Sequence, residues 1–412
     1  MPRTSKLSET HDFLTLYQHA VGHTEVPMVF HTWACLSMVA ACLGDQVWHE
    51  KFRGKRLIPN LYTFLIGPSA CGKDEAIDFA SQFVEDIPHV NALDAKVTGA
   101  SVTDLFNKLT VTKNSKGDEE RVVLDTVPRV FLITPELSMT VGEGPVARDF
   151  IRRLTKWFTG GTRRFFESTR MYGEAYDGAP PVVNWLAGSI PEWLVESIPK
   201  SAIHGGFFAR VVPVEGKYDP AFRVANPSDA VPRDFDQVIT YLKRAARRIS
   251  TLEGKFSFTD EALAVKDRWY NTRPAPDDPA HLPTWKRQDD LVRKLSMVLA
   301  VCDEGYDLQG TGRHVRHAIR LLEGLTTSLH HIIAYASQTV ESAALEVVRD
   351  YIKLAGEIPH SALLKKVGHR GIHADQLSRL LVTLRQRKEV EQLATNSGAR
   401  RYRWREAARV VL

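Results

Sequence analysis

The sequence has no apolar run close to the roughly 18 to 20 residues that a membrane span needs, and residues 1–11 are polar, without a secretory h-region. Neither membrane insertion nor secretion is expected. Cysteine is scarce, and its four copies (Cys35, Cys42, Cys71, Cys302) form no C-x-x-C pair, which argues against a disulfide framework and against a zinc ribbon. A reducing cytoplasm is the simplest compartment. Repeats and low-complexity segments are missing too. Charge of one sign is barely in excess: 54 Lys and Arg stand against 49 Asp and Glu, and the resulting +5 identifies no partner.

The distribution of that charge is more telling. Residues 341–412 hold 14 basic against 8 acidic side chains, whereas the preceding 340 residues hold 40 against 41. All of the basic excess therefore lies at the C-terminal end, as expected of an appended nucleic-acid-binding module. The rest of the composition is ordinary, 43% hydrophobic and 25% charged over 412 residues, enough for two or three globular domains.

Apolar residues recur at helical spacing from Asp12 to about Val47 with a break between Gly22 and Pro27, which predicts two helices. Leu61-Tyr-Thr-Phe-Leu-Ile66 is a short β-prone apolar run ending at Gly67-Pro68, a buried strand entering a turn, and Lys73–Val84 is again an amphipathic helix. Further buried strands are expected at Val130–Ile133, Val182–Ala187 and Ala209–Val214. Strands alternating with helices predict an α/β core with a mostly parallel sheet. A Pro- and Asp-rich passage, Tyr218–Phe235, marks a boundary, after which helical periodicity runs to Ser337 with a Pro-rich break at Arg273–Pro283. Ala343–Ala355, Ser361–Val367 and Ala374–Lys388 read as three helices, and Val390–Leu393 with Arg401–Trp404 as a strand pair, the pattern of a winged helix. The expected organisation is an N-terminal helical region (1–58), a P-loop core (59–217), a helical lid (218–338) and a winged-helix module (341–412).

Gly67-Pro-Ser-Ala-Cys-Gly72-Lys73-Asp74 has the spacing G-x-x-x-x-G-K of a P-loop, between a predicted strand and a predicted helix. Such a loop points backbone N–H groups and a helix N-terminus at phosphates while the lysine ammonium reaches the β/γ oxygens. Gly67, Pro68, Ser69, Ala70, Cys71, Gly72, Lys73, Asp74 and the following Glu75 are thus candidate contacts for ATP. The position after the lysine, ordinarily a Mg²⁺-ligating Ser or Thr, is Asp74. Its carboxylate either takes over the metal or repels the γ-phosphate. Val130–Ile133 reads as a Walker B strand followed by Thr134-Pro135-Glu136, so a catalytic-type glutamate is present where the metal-ligating aspartate is missing. Asp74 and Glu136 are the candidate Mg²⁺ ligands. Ser189, with Asn184 as a weaker choice, stands where a sensor residue orients water, and Arg210 where an arginine finger reaches a neighbour's γ-phosphate.

Taken in order, Thr24-Glu-x-Pro27, Phe30-His-x-Trp33, Pro59-Asn-Leu-Tyr62, the Gly67–Asp74 loop, Phe131-Leu-Ile-x-x-Glu136-Leu137, Gly188-Ser-x-Pro191-Glu-Trp193-Leu and Gly205-Gly-Phe-x-x-Arg210 resemble the P-loop ATPases of phages, prophages and plasmids. These are often encoded beside, or fused to, primases. The resemblance covers roughly residues 10–335. It implies an AAA+-like DNA-replication ATPase, a ring-forming helicase (a hexamer favoured) in a bacterial host cytoplasm, with a primase or polymerase as partner. Lys73 and Asp74 would then hold phosphate and metal, Glu136 polarise water and Arg210 act in trans, while Pro135, often acidic in relatives, bears on the strength of hydrolysis. In helicases resembling this chain, a hairpin at the place of residues 163–174 enters the ring pore and grips single-stranded DNA, which here implicates Arg163, Arg164 and Arg170.

In the C-terminal module, Arg379, Arg385, Arg387 and Lys388 share a predicted helix with Leu377, Leu380, Leu381 and Leu384, the division a recognition helix needs. Strand alternation puts Arg401, Arg403 and Arg405 on one face of the wing. Duplex DNA is the partner favoured, with protein docking as the other use of such a fold. The histidine pairs and loops offer no convincing metal spacing, and Arg293 or Lys294 is a candidate second sensor. Two rivals to the helicase remain: a helicase loader or origin-binding initiator, and a non-hydrolysing DNA-tethering adaptor.

Overall fold

The computed structural model describes residues 12–87, 90–94, 111–113, 119–121, 129–137, 144–158, 165–168, 175–178, 182–198, 202, 206–219, 223–224, 226–303, 305–337, 340–394 and 400–405. The chain divides into two compact units, Met1–Ile333 and Ala334–Leu412.

Five strands, β1 (Tyr62–Ile66), β2 (Val90–Asp94), β3 (Arg129–Thr134), β4 (Val182–Ser189) and β5 (Val211–Glu215), form the central sheet of the first unit. They run parallel in the order β5-β1-β4-β3-β2. Every residue of β1, β3 and β4 is buried, as expected for parallel strands covered on both faces, whose sequences read as continuous apolar runs. The helices α1 (Phe13–Val21), α2 (Met28–Leu43), α3 (Lys73–Ser81), α4 (Gly144–Trp157), α5 (Phe235–Ser250), α6 (Leu282–Cys302) and α7 (Gly312–Glu323) surround it. α2 has no charged residue in its 16 and is buried almost all round, which makes it an interior helix rather than an amphipathic one. It lies on one face, where Ser37 Oγ donates to Thr63 Oγ1 at 2.7 Å. α4 covers the other face, where Tyr62 donates to the Leu154 carbonyl at 2.8 Å and Phe150 packs on Trp185.

A second sheet has the order 309–310, 254–258, 47–52, 55–57. Val47–Phe52 pairs parallel with Gly254–Phe258 and antiparallel with Lys55–Leu57. One hydrophobic core runs through α1, α2, the central sheet, α5, α6 and α7, so the three segments expected at 1–58, 59–217 and 218–338 share packing within the unit that ends at Ile333.

The second unit holds α8 (Val340–Ala355), α9 (His360–Gly368) and α10 (Ala374–Gln386) with β6 (Glu357–Pro359), β7 (Val390–Ala394) and β8 (Arg400–Trp404) in the antiparallel order β6-β8-β7. Leu363, Val367, Leu377, Leu381, Leu384 and Tyr402 centre its core. Three helices and the β7–β8 pair match the sequence expectation; β6, only three residues long and ending in Pro359, is additional. Among the described residues no helix is long and apolar enough to cross a membrane.

Candidate nucleotide-binding loop

The loop after β1 sits where three strands end together. Gly67 N–H donates to the Ser189 carbonyl at 3.2 Å, and Gly216 N–H to that of Ile66 at 3.0 Å, clamping the loop base between the ends of β4 and β5. No side chain fits at Gly67, where a Cβ would stand 2.5 Å from the Gly216 carbonyl oxygen and 3.2 Å from Phe30 Cζ. Gly72 adopts φ +77°, the left-handed conformation that turns the chain into α3. A Cβ there would meet Val26 Cγ2 at 2.5 Å.

Lys73, the first residue of α3, is 7% exposed, and its Nζ donates back to the Gly67 carbonyl at 2.9 Å and the Pro68 carbonyl at 2.7 Å. Its ammonium is therefore already drawn across the loop, while Pro68, Ser69 and Ala70 face solvent. Asp74 and Glu75 project as exposed carboxylates from the first turn of α3. Negative charge there stabilises a helix N-terminus by roughly 0.3–1 kcal/mol, and the same field attracts phosphate.

Glu136 follows β3. The register pairs Ala187 with Thr134, the last residue of β3, and Ser189 with Ile66, the last residue of β1; Glu136 lies two residues beyond the end of β3. One strand, β4, separates the loop-bearing β1 from the carboxylate-bearing β3, a gap of two strand spacings or roughly 10 Å. Ser189 is fully buried; its carbonyl receives Gly67 N–H and its hydroxyl donates to the Ile190 carbonyl at 3.0 Å. Asn184 lies near the other end of β4, where its Oδ1 accepts from Leu61 N–H, which removes it from the loop.

Arg210 also belongs to the far end. It immediately precedes β5, whose Val211 is level with Tyr62, roughly 16 Å from the loop at about 3.3 Å per residue. The side chain is half-buried, with Nη1 donating to the Gly206 carbonyl; burial first and Arg287 second push its guanidinium down to about 10. It cannot serve the nucleotide loop of its own chain. Lys294 lies nearby, 2% exposed, donating to Asn60 Oδ1 at 2.6 Å and the Asn60 carbonyl at 3.0 Å, with its Nζ 3.7 Å from the Phe158 ring centroid. Burial pushes its ammonium down to about 7. Arg293 pairs with Asp289 at 3.3 Å. Neither α6 residue reaches the loop as a second sensor within this chain.

The strands Phe165–Ser168 and Ala175–Gly178 pair antiparallel, and Arg163, Arg164 and Arg170 lie outside the described residues. Arg379, Arg387 and Lys388 are exposed on or just after α10, whereas Arg385 donates to Gln392 at 2.8 Å. Arg401 and Arg403 both pair with Glu357 at 2.8 Å, and Arg405 pairs with Glu391 at 3.1 Å. The predicted arginine face of β8 exists, but β6 and β7 supply it with carboxylates.

Sequence reasoning missed Val26, Phe30 and Gly216 as supports of the loop and Asn60 as the partner of Lys294. Val26 and Phe30 fall within or beside motif residues quoted for the resemblance, which the close contacts at Gly67, Gly72 and Gly216 now account for physically. Among the described residues no group of three or more His, Cys, Asp and Glu is arranged to hold a metal. No protein family matches the chain, and no curated protein resembles it significantly.

Proposed function

We propose that the chain is a P-loop ATPase of the AAA+-like type that moves on or unwinds DNA during replication of a phage or other mobile element, with residues 341–412 as a winged-helix DNA-binding module. The observation that carries this reading is Lys73 at the start of α3, folded across a loop that closes β1, with Glu136 two strands away at the same edge of a parallel sheet. Ligands of open α/β sheets bind at the carboxyl ends of the strands, which is where this loop lies.

The residues fit a nucleotide. The backbone of Gly67–Gly72 and the N-terminus of α3 would hold phosphate oxygens, and Lys73 would turn from its own carbonyls to them. Mg²⁺–ATP would supply the phosphoryl group and the charge neutralisation of its transfer. Glu136, two residues after β3 at the same end of the sheet as the loop, would accept a proton from water. Asp74 is the carboxylate best placed on the loop side for the metal. Arg210, at the far end of the sheet, would meet a nucleotide only in a neighbouring subunit, after leaving the Gly206 carbonyl.

ATP hydrolysis with and without single-stranded DNA, followed by strand displacement, tests this reading. Lys73→Ala should lower turnover by roughly a hundredfold or more, the scale of losing one preorganised charge-stabilising donor. Full turnover in that variant would end the ATPase reading. The exposed Asp74 beside the loop and the Thr134-Pro135 pair favour one second reading, a nucleotide-binding adaptor without hydrolysis. Tight ATP binding with no turnover in the unaltered protein, unchanged in Asp74→Ala, would select it.

A further inference from the structure

The hairpin formed by Val47–Phe52 and Lys55–Leu57 lies outside every motif considered above. It carries Trp48, Lys51, Phe52, Arg53, Lys55 and Arg56 within nine residues, with Glu50 as its only acid. Lys51 is tied to Asp290, and Lys255 on the neighbouring strand to Glu50 at 2.6 Å, which leaves Arg53, Lys55 and Arg56 exposed. Phe52 is 56% exposed at the tip.

The register makes the arrangement specific. Glu50 opposes Arg56 and Phe52 opposes Lys55, so Lys51 is an extra residue, a bulge that breaks the alternation just before the turn. Gly54 closes that turn at φ +77° with nothing within 4 Å of where a Cβ would stand. Lys55 and Arg56 are consecutive in a strand and point to opposite faces. Each meets a different aromatic: Arg56 lies 4.3 Å over Trp48, and Lys55 5.1 Å over Phe52. The hairpin thus carries, at its tip, an exposed Phe52 beside Lys55, and behind it a half-buried Trp48 covered by Arg56.

We propose that this hairpin is a contact site for single-stranded nucleic acid, with Phe52 as the stacking platform for a base and Arg53, Lys55 and Arg56 as phosphate ligands. Stacking on aromatic rings beside a cationic track is the general chemistry of strand binding without sequence preference. Lys55–Leu57 is an edge strand, and cations alone would suffice to guard an edge against pairing. An exposed phenylalanine at its tip works against that purpose and suits a partner with flat apolar faces alternating with anionic groups, as nucleobases and phosphates alternate along a single strand. The site does not depend on the nucleotide loop, and its test separates the two.

The experiment measures binding of a fluorescent oligothymidylate of about 12 nucleotides, within the usual site size, to the full chain across a salt series. Removing three phosphate ligands together, Arg53→Ala, Lys55→Ala and Arg56→Ala, should lower the slope of log affinity against log salt by about 2, at roughly 0.7 per single-strand phosphate. Phe52→Ala should weaken binding at least about fivefold while leaving that slope unchanged. Lys73→Ala should bind the oligonucleotide as the unaltered protein does, so failure of the ATPase reading leaves this result standing. Thermal unfolding of each variant checks that the exposed tip can change without loss of fold. Unchanged oligonucleotide binding in both hairpin variants would overturn the proposal. So would a glutamate-rich peptide that competes as well as the oligonucleotide and is indifferent to Phe52→Ala, an outcome that would assign the hairpin to an acidic protein partner.

Discussion

Replacing Gly72 by alanine tests whether the N-terminal segment holds the nucleotide loop in shape. Two costs add at this residue. Its φ of +77° is left-handed, which costs a residue with a Cβ about 1–2 kcal/mol. The new methyl would also stand 2.5 Å from Val26 Cγ2 and 3.2 Å from Cγ1, an overlap worth about 1–3 kcal/mol of overpacking. Loss of glycine's freedom in the unfolded chain returns about 0.4–1 kcal/mol, so a net destabilisation of about 2–4 kcal/mol is expected. Only the steric part is shared with Val26. Adding Val26→Ala to Gly72→Ala should therefore destabilise by about 1–3 kcal/mol less than the two single changes summed. Urea unfolding followed by tryptophan fluorescence is a suitable assay, because seven of the eight tryptophans, all but Trp404, lie in the first unit. Additivity within about 0.5 kcal/mol would refute the claim that Val26 braces the loop.

His31 is buried on α2 with Nε2 at 3.1 Å from Thr24 Oγ1, and burial, with His23 adding to it, pushes its imidazole from 6.5 down to about 4. Between those pH values the unfolded chain binds the proton and the folded one does not, so stability rises with pH through this window and is unaffected by His31 above it. Acidification from pH 6.5 to 4 should cost on the order of 3 kcal/mol through this group, and His31→Leu should flatten the dependence of the urea midpoint on pH; parallel curves for both proteins would refute it. In the second unit, Glu357→Ala should release Arg401 and Arg403 and steepen the salt dependence of duplex DNA binding by up to about 2, at roughly 0.9 per phosphate contact. An unchanged slope would place the DNA contacts on α10 instead, through Arg379, Arg387 and Lys388.

The parts of the fold legible in the sequence are those whose pattern is local. β1, β3 and β4 read as unbroken apolar runs because both their faces are covered, and the loop spacing marks itself. Pairings between distant residues were hidden. Val47–Phe52 has little apolar alternation and a bulge at Lys51, and its parallel partner Gly254–Phe258 lies about two hundred residues away. β6 is too short and too close to a proline to signal a strand, yet it carries the Glu357 that pairs with the wing arginines. Helical periodicity placed Lys294 on α6, but only the fold brings Asn60 and Phe158 to it. Motif order alone could not say which end of the sheet Arg210 occupies; a residue just before a parallel strand is necessarily at the end away from a loop that follows one.

Both departures of the proposed nucleotide site from the P-loop pattern, Asp74 and the absent aspartate after β3, are consistent with the packing at the end of β3. Thr134 is 2% exposed, and its Oγ1 accepts the Trp185 indole N–H at 2.9 Å, within the aromatic packing formed with Tyr62 and Phe64. An aspartate in that niche would bury a carboxylate whose desolvation one indole hydrogen bond does not offset. The next residue is Pro135, whose carbonyl oxygen lies 2.3 Å from where a Cβ of Gly188 would stand, so the end of β3 packs directly against β4. The next carboxylate along the chain is Glu136. In the proposed site a second acidic ligand would come from the loop side, where Asp74 lies on the solvent-facing first turn of α3. Its charge also occupies the field that draws phosphate to the helix N-terminus, and in the proposed site a divalent cation between carboxylate and phosphate would turn that competition into cooperation.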